Sequence, residues 1–222
     1  MCGRFTLTTD LDQIEERFSF RMTNLAFTPH YNIAPSQSVL TVMNDGKENR
    51  AGFLRWGLIP AWAKEEAIGN RMINARAETI AEKPSFKRAL QKRRCLVVAD
   101  GFYEWKAEGK KKTPMFIALS SREPFGFAGL WETWKSPNGE AIHSCTIITT
   151  TPNRLMESIH NRMPVILLRD AEAVWLDRTV DDPQKLLPLL LPYPEGEMTA
   201  YEVSLLVNSP RNDSPVCIEP VQ

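Results

Sequence analysis

The chain has 222 residues, the size of one large or two small domains, with 43% hydrophobic residues, 24% charged residues and no net charge. That length can bury a core without a disulfide or metal staple, and the composition excludes disordered and collagen-like chains. The longest apolar runs, Met163–Leu168 and Leu186–Leu191, each contain a proline and fall far short of the roughly 20 residues of a membrane-spanning helix.

In chain order, Asp10 is placed to cap a helix carrying Leu11, Ile14 and Phe18 at helical spacing, with Gln13 set for a capping box. Val39–Met43 and Ala51–Leu58 read as strands, joined by an Asn44-Asp45-Gly46 turn. A helix starts at Pro84 and carries Phe86, Ala89 and Leu90. Strands follow at Cys95–Val98, Met115–Leu119 and Ile142–Thr149, the last after an Asn138-Gly139 turn. A third helix is expected from Pro152, carrying Leu155, Met156 and Ile159, and then a strand at Val165–Leu168. Two more helices run from Asp170 to Asp177 and from Asp182-Pro183 to Leu191, and a strand from Ala200 to Val207. Hairpin-linked strands with irregularly inserted helices predict an α+β fold with mainly antiparallel pairing. Without repeats or a long linker, residues 1–222 read as a single domain.

The start, Met1-Cys2-Gly3-Arg4, has no basic-then-apolar leader. Four cysteines (Cys2, Cys95, Cys145, Cys217) form no C-x-x-C pair. The expectation is a cytosolic protein with free thiols and no zinc site. Charge is lopsided. Arg71–Lys112 holds 12 basic and 5 acidic residues, and Asp170–Gln222 holds 3 basic and 10 acidic. The basic stretch suggests one surface that meets a polyanion, a solvated helix face being the plain alternative.

Several residues carry chemistry. The small side chain of Cys2 favours removal of Met1, which would leave an α-amine and a thiol on one carbon skeleton. An α-amine has a pKa of about 7.7–8.0 against about 10.4 for lysine, so its nucleophilic fraction at neutral pH is larger by roughly several hundredfold. Such an amine condenses with an aldehyde to a Schiff base, and the adjacent thiol can close a thiazolidine ring. The alternative is an incidental residue at a frayed end. In Met72–Glu78, an extended backbone places Asn74, Arg76 and Glu78 on one face, where Arg76 fits a phosphate and Asn74 can orient a reacting group. An ordinary solvated face reads the same way. Glu104, between Tyr103 and Trp105, is expected to be partly desolvated and suited to proton transfer, unless it is simply a surface glutamate. His160, at the end of the third expected helix, is a second acid–base candidate or a helix-terminal histidine. Trp56 and Trp62 flank a Gly/Pro bend and could stack on bases or belong to the core.

Together these segments resemble the SRAP (SOS response-associated peptidase) family, in its compact bacterial form. The resemblance rests on Met1-Cys2-Gly3-Arg4, Tyr31-Asn32-Ile33-Ala34-Pro35, Trp56-Gly57-Leu58-Ile59-Pro60, Asn74-Ala75-Arg76-Ala77-Glu78-Thr79, Asp100-Gly101-Phe102-Tyr103-Glu104-Trp105 and His160-Asn161-Arg162-Met163-Pro164-Val165, in family order. One departure is Val98, where the family usually has proline. The resemblance implies a partly closed, barrel-like antiparallel sheet with peripheral helices. It implies that processed Cys2 bonds covalently to abasic sites in single-stranded DNA and shields the lesion in the DNA damage response. Glu104 would move protons, His160 would act as acid or base at the sugar, and Asn74 would hold the amine or the sugar. Arg4, Arg76 and Arg162 would bind phosphates, with Trp56 and Trp62 beside the strand. A monomer without metal or cofactor, weak strand-cleaving lyase activity and self-removal of Met1 fit the same resemblance. Two rivals are an N-terminal-nucleophile cysteine peptidase built on Cys2, Glu104 and His160, and a non-covalent single-strand-binding module.

Overall fold

The structure is a computed structural model, and it describes residues 2–20 and 27–221. Along the chain run β1 (Phe5–Leu7), α1 (Leu11–Phe18), β2 (His30–Ile33), β3 (Ser38–Asn44), β4 (Asn49–Trp56), β5 (Asn74–Arg76), α2 (Pro84–Lys92), β6 (Arg94–Ala99), β7 (Gly101–Glu108), β8 (Lys111–Leu119), β9 (Phe125–Lys135) and β10 (Ala141–Thr150). Then come α3 (Arg154–Glu157), β11 (Met163–Pro164), α4 (Arg169–Leu176), α5 (Pro183–Leu186) and β12 (Met198–Glu202). Among the described residues no helix is long and apolar enough to cross a membrane.

Two sheets form. One is antiparallel throughout, in the order β12-β8-β7-β1-β2. In the other, β4, β3, β6 and β9 pair antiparallel in that order. β9 also pairs with β10, which returns to β4 in parallel, so these strands close on themselves. Closure removes the unpaired edges that an open sheet exposes. β5 and β11 pair with the far end of β10. The α+β, mainly antiparallel, barrel-like architecture is therefore the one expected.

Aromatic rings join the sheets. Phe5 on β1 meets Trp56 edge-on at 5.1 Å and Phe127 at 5.8 Å, and Phe102 on β7 meets Phe127 at 6.0 Å. Each is fully buried, worth about 1.5–3 kcal/mol per side chain. Within the first sheet Gly101 leaves room for the Phe116 ring of β8, because a Cβ there would stand 2.2 Å from it.

Both predicted hairpin turns are present, with φ of 101° at Gly46 and 86° at Gly139. α1 occupies its expected span, but the Asp10 side chain makes no cap bond, so the capping box is not formed. The third helix is shorter than expected because Asn153 caps it, its Oδ1 accepting from Met156 N at 2.9 Å. The fifth ends at Leu186 and continues as a 3-10 turn, since Pro188 has no N–H to extend an α-helix. The strand expected at Val165–Leu168 is instead a run, buried from Val165 to Leu167 with Leu168 exposed, that switches partners. Val165 N donates to Ile148 on β10, and Leu167 N to Gly126 on β9. The strand expected through Val207 stops at Glu202, where Ser204 starts a 3-10 turn. β9, whose glycines mask its strand pattern, was not anticipated.

The basic stretch does not form one surface. It is spread over α2, β6 and the β7–β8 hairpin of the other sheet, and among the described residues acids pair with three of its twelve cations. Lys92 pairs with Asp181 at 2.7 Å, Lys106 with Glu108 at 2.8 Å, and Arg93 with Glu132. Arg94 is buried and caps two helices. Its Nη1 donates to Leu90 O and Gln91 O at 2.8 Å, its Nε to Trp175 O at 2.6 Å, and its Nη2 to Asp177 O at 2.5 Å. Such a cation satisfies C-terminal carbonyls that lack helical partners.

Candidate functional site around Cys2

The first residues of the chain are held by a dense polar frame. β1 pairs with β7 at Phe5–Phe102, and Arg4 O accepts from Tyr103 N at 3.0 Å. The Asp100 carboxylate collects Thr6 Oγ1 (2.6 Å), Thr8 N (2.5 Å), Thr8 Oγ1 (2.8 Å), Thr9 N (2.9 Å) and Thr9 Oγ1 (3.0 Å). Arg4 Nη1 donates to Asn32 Oδ1 and Val207 O, both at 2.7 Å. Asn32 Nδ2 reaches Val207 O, Ser209 O and Asn212 O at 3.2, 3.0 and 2.7 Å, and Tyr103 OH donates to Tyr31 O at 2.7 Å. These bonds tie the N-terminal segment to residues 207–212. Arg4 thus serves as an internal anchor rather than the outward cation expected of a phosphate ligand. Asn32 and Tyr103 lay inside the quoted motifs, but nothing local assigned them a role.

Cys2 is fully buried, not frayed. Its carbonyl accepts from Asn74 Nδ2 at 2.8 Å, and Asn74 Oδ1 is buried with no partner among the described residues. Burial pushes the Cys2 thiol far above the ordinary thiol range, and the Glu104 carboxylate pushes it the same way. Glu104, on β7, is 2% exposed. Burial raises its pKa, while nearby positive charge, His160 included, pulls it back. His160 is half-buried beyond α3, and its Nδ1 accepts from Arg162 N at 3.0 Å. The same Nδ1 also lies 3.2 Å from Arg162 O. The fold therefore brings Cys2, Asn74, Glu104 and His160 into one cluster. Burial favours the protonated thiol and the protonated carboxyl, and the Asn74 amide oxygen has no donor among the described residues.

β5 presents Asn74 by pairing in parallel with β10, Asn74 opposite Ile147 and Arg76 opposite Thr149. The extended backbone ends at Arg76, and residues 77–79 form a 3-10 turn, so Glu78 does not continue the Asn74 face. Arg76 is exposed. Arg162 is 14% exposed, and its guanidinium forks onto Glu78 at 2.6 and 3.0 Å. The two tryptophans part company. Trp56 is buried in the aromatic core with its Nε1 on Ile73 O at 2.9 Å, so it cannot contact DNA, contrary to expectation. Trp62 is 61% exposed and lines, with Lys64, Ile68 and Arg71, a hollow of about 300 Å³ in the β4–β5 connection.

Fold and site together define a closed-sheet α+β protein built around its N-terminal cysteine. The chain belongs to the SRAP family: the family model for SOS response associated peptidase matches residues 1–210. It is 55% identical, over 99% of both chains, to the abasic site processing protein YoqW of Bacillus subtilis. It is 31% identical to the abasic site processing protein HMCES of Xenopus tropicalis, over 98% of this chain and 78% of the relative. A crystal structure of a Bacteroides thetaiotaomicron protein superposes over the full length of both chains, with a TM-score of 0.90 at 27% identity.

Proposed function

We propose that the chain, after loss of Met1, captures abasic sites in single-stranded DNA by a covalent bond to Cys2. Met1 itself lies outside the described residues. At an abasic site the deoxyribose ring opens to an aldehyde. The Cys2 amine adds to that carbon, and loss of water gives an imine. The sulfur then bonds the same carbon while its proton passes to nitrogen, closing a thiazolidine with no atom gained or lost. Glu104 carries protons through ring opening and imine formation, and His160 acts at the sugar oxygen. The unpartnered Asn74 oxygen receives the amine's N–H. Arg76 holds a phosphate, and Trp62 stacks on a base.

The observation that carries this reading is the cluster of Cys2, Asn74 and Glu104, in which burial keeps the thiol protonated. A protonated thiol beside an amine suits amine-first attack. It weighs against a cysteine peptidase, which works through the thiolate. The names of the relatives agree with abasic-site chemistry.

Intact mass of purified protein is expected to show loss of one methionine. Mixed with abasic single-stranded DNA, that protein is expected to give a denaturing-gel band that survives heat and detergent. Cys2→Ser should form only a Schiff base that borohydride must trap, and that base is open to β-elimination. A processed protein that gives no heat-stable band overturns the reading.

A further inference from the structure

The Arg162–Glu78 pair has no task in the scheme above. Arg162 Nη1 and Nη2 each face one oxygen of the Glu78 carboxylate, and Nη2 also donates to Thr149 O at 2.7 Å. The guanidinium is largely buried, whereas the Glu78 side chain is 45% exposed. The pair joins the turn after β5, which carries Asn74 and Arg76, to the loop that carries His160. A carboxylate and a phosphate offer the same two-oxygen edge to a guanidinium fork. Glu78 therefore occupies the place in which a phosphate would sit, two residues from the exposed cation Arg76.

We propose that Glu78 is a specificity-determining residue for strand binding: its carboxylate fills the Arg162 fork as an internal stand-in for a backbone phosphate, and only a phosphate belonging to a strand already held at Arg76 displaces it. This rests on the single-strand reading above. A lone phosphate must break a bidentate, partly buried ion pair unaided. A strand anchored at Arg76 presents its next phosphate at high effective concentration. The built-in competitor thereby discriminates against small anions, a repulsive element of the kind specificity requires.

The test compares wild type with Glu78→Gln, which keeps the shape and removes the charge. Binding to an intact single-stranded oligonucleotide is measured by fluorescence anisotropy across a salt series, with inorganic phosphate as competitor and thermal unfolding as the check on folding. Glu78→Gln is expected to bind the strand about tenfold tighter at low salt, as removal of a rim charge of the wrong sign allows. Its salt dependence should steepen by up to roughly 0.7 in log–log slope, because no freed carboxylate draws a counterion back. Inorganic phosphate should compete much better against the variant than against wild type. Arg162→Lys added to Glu78→Gln should abolish the gain. Equal or weaker strand binding by a folded Glu78→Gln makes the pair a strut and overturns the proposal. So does a gain that survives Arg162→Lys, which would reduce Glu78 to a general repulsive charge. Because the strand is intact, failure of covalent capture at abasic sites would overturn the preceding reading without touching this measurement.

Discussion

Asp100, just before β7, and Glu104, within it, are nearly equally hidden, 9% and 2% exposed, yet their surroundings differ in kind. Asp100 accepts from Thr6 on β1 and from Thr8 and Thr9 just after it, through two backbone N–H groups and three hydroxyls. Glu104 lies where burial dominates and raises its pKa, with positive charge pulling back. A carboxylate surrounded by neutral donors is a brace, since its charge is already solvated by the protein. One stripped of water favours its protonated form, which is what the proposed proton transfer draws on.

The sharpest way to break this contrast is Glu104→Gln. It is expected to slow single-turnover capture of abasic DNA by about 10²–10⁴-fold, the usual worth of a positioned acid–base group, while strand affinity stays near wild type. Capture at wild-type rate across pH 5–9 would make Glu104 as structural as Asp100. Asp100→Ala should do the reverse. It strands buried donors and is expected to cost roughly 2–5 kcal/mol in urea unfolding, with capture falling only as the folded fraction falls.

Glu104 also has a pH signature in stability. For Glu104 the folded state binds its proton more tightly than the unfolded state does. Stability is therefore retained below the ordinary glutamate range and declines as pH rises from there through the raised folded pKa. Glu104→Gln should lack this decline, so its melting temperature should exceed that of wild type at neutral pH and converge with it in acid. A constant difference at every pH would contradict the burial account. The smallest effect is expected from Thr8→Ala, which removes one of several donors to Asp100. A loss of about 1 kcal/mol is anticipated, with capture unchanged.

Local chemistry and local pattern determined a good deal by themselves. Apolar spacing marked α1 and α2, and Asn-Asp-Gly and Asn-Gly marked the hairpin turns, because helix periodicity and positive-φ turns are properties of neighbouring residues. The amine–thiol pair of Cys2 is likewise intrinsic to one residue, and six short motifs carried the family. What only the tertiary structure decided is the fate of chemically identical side chains. Trp56 goes into the core and Trp62 into solvent, although six residues separate them. Arg4 is spent on Val207, Arg94 on Trp175 and Arg162 on Glu78, partners 203, 81 and 84 residues away. β9 became a strand because β6 and β10 flank it, despite its two glycines. Sequence periodicity states which face of an element is apolar. It carries no information on which distant carbonyl or carboxylate will meet a guanidinium, because closure of the sheet sets that distance.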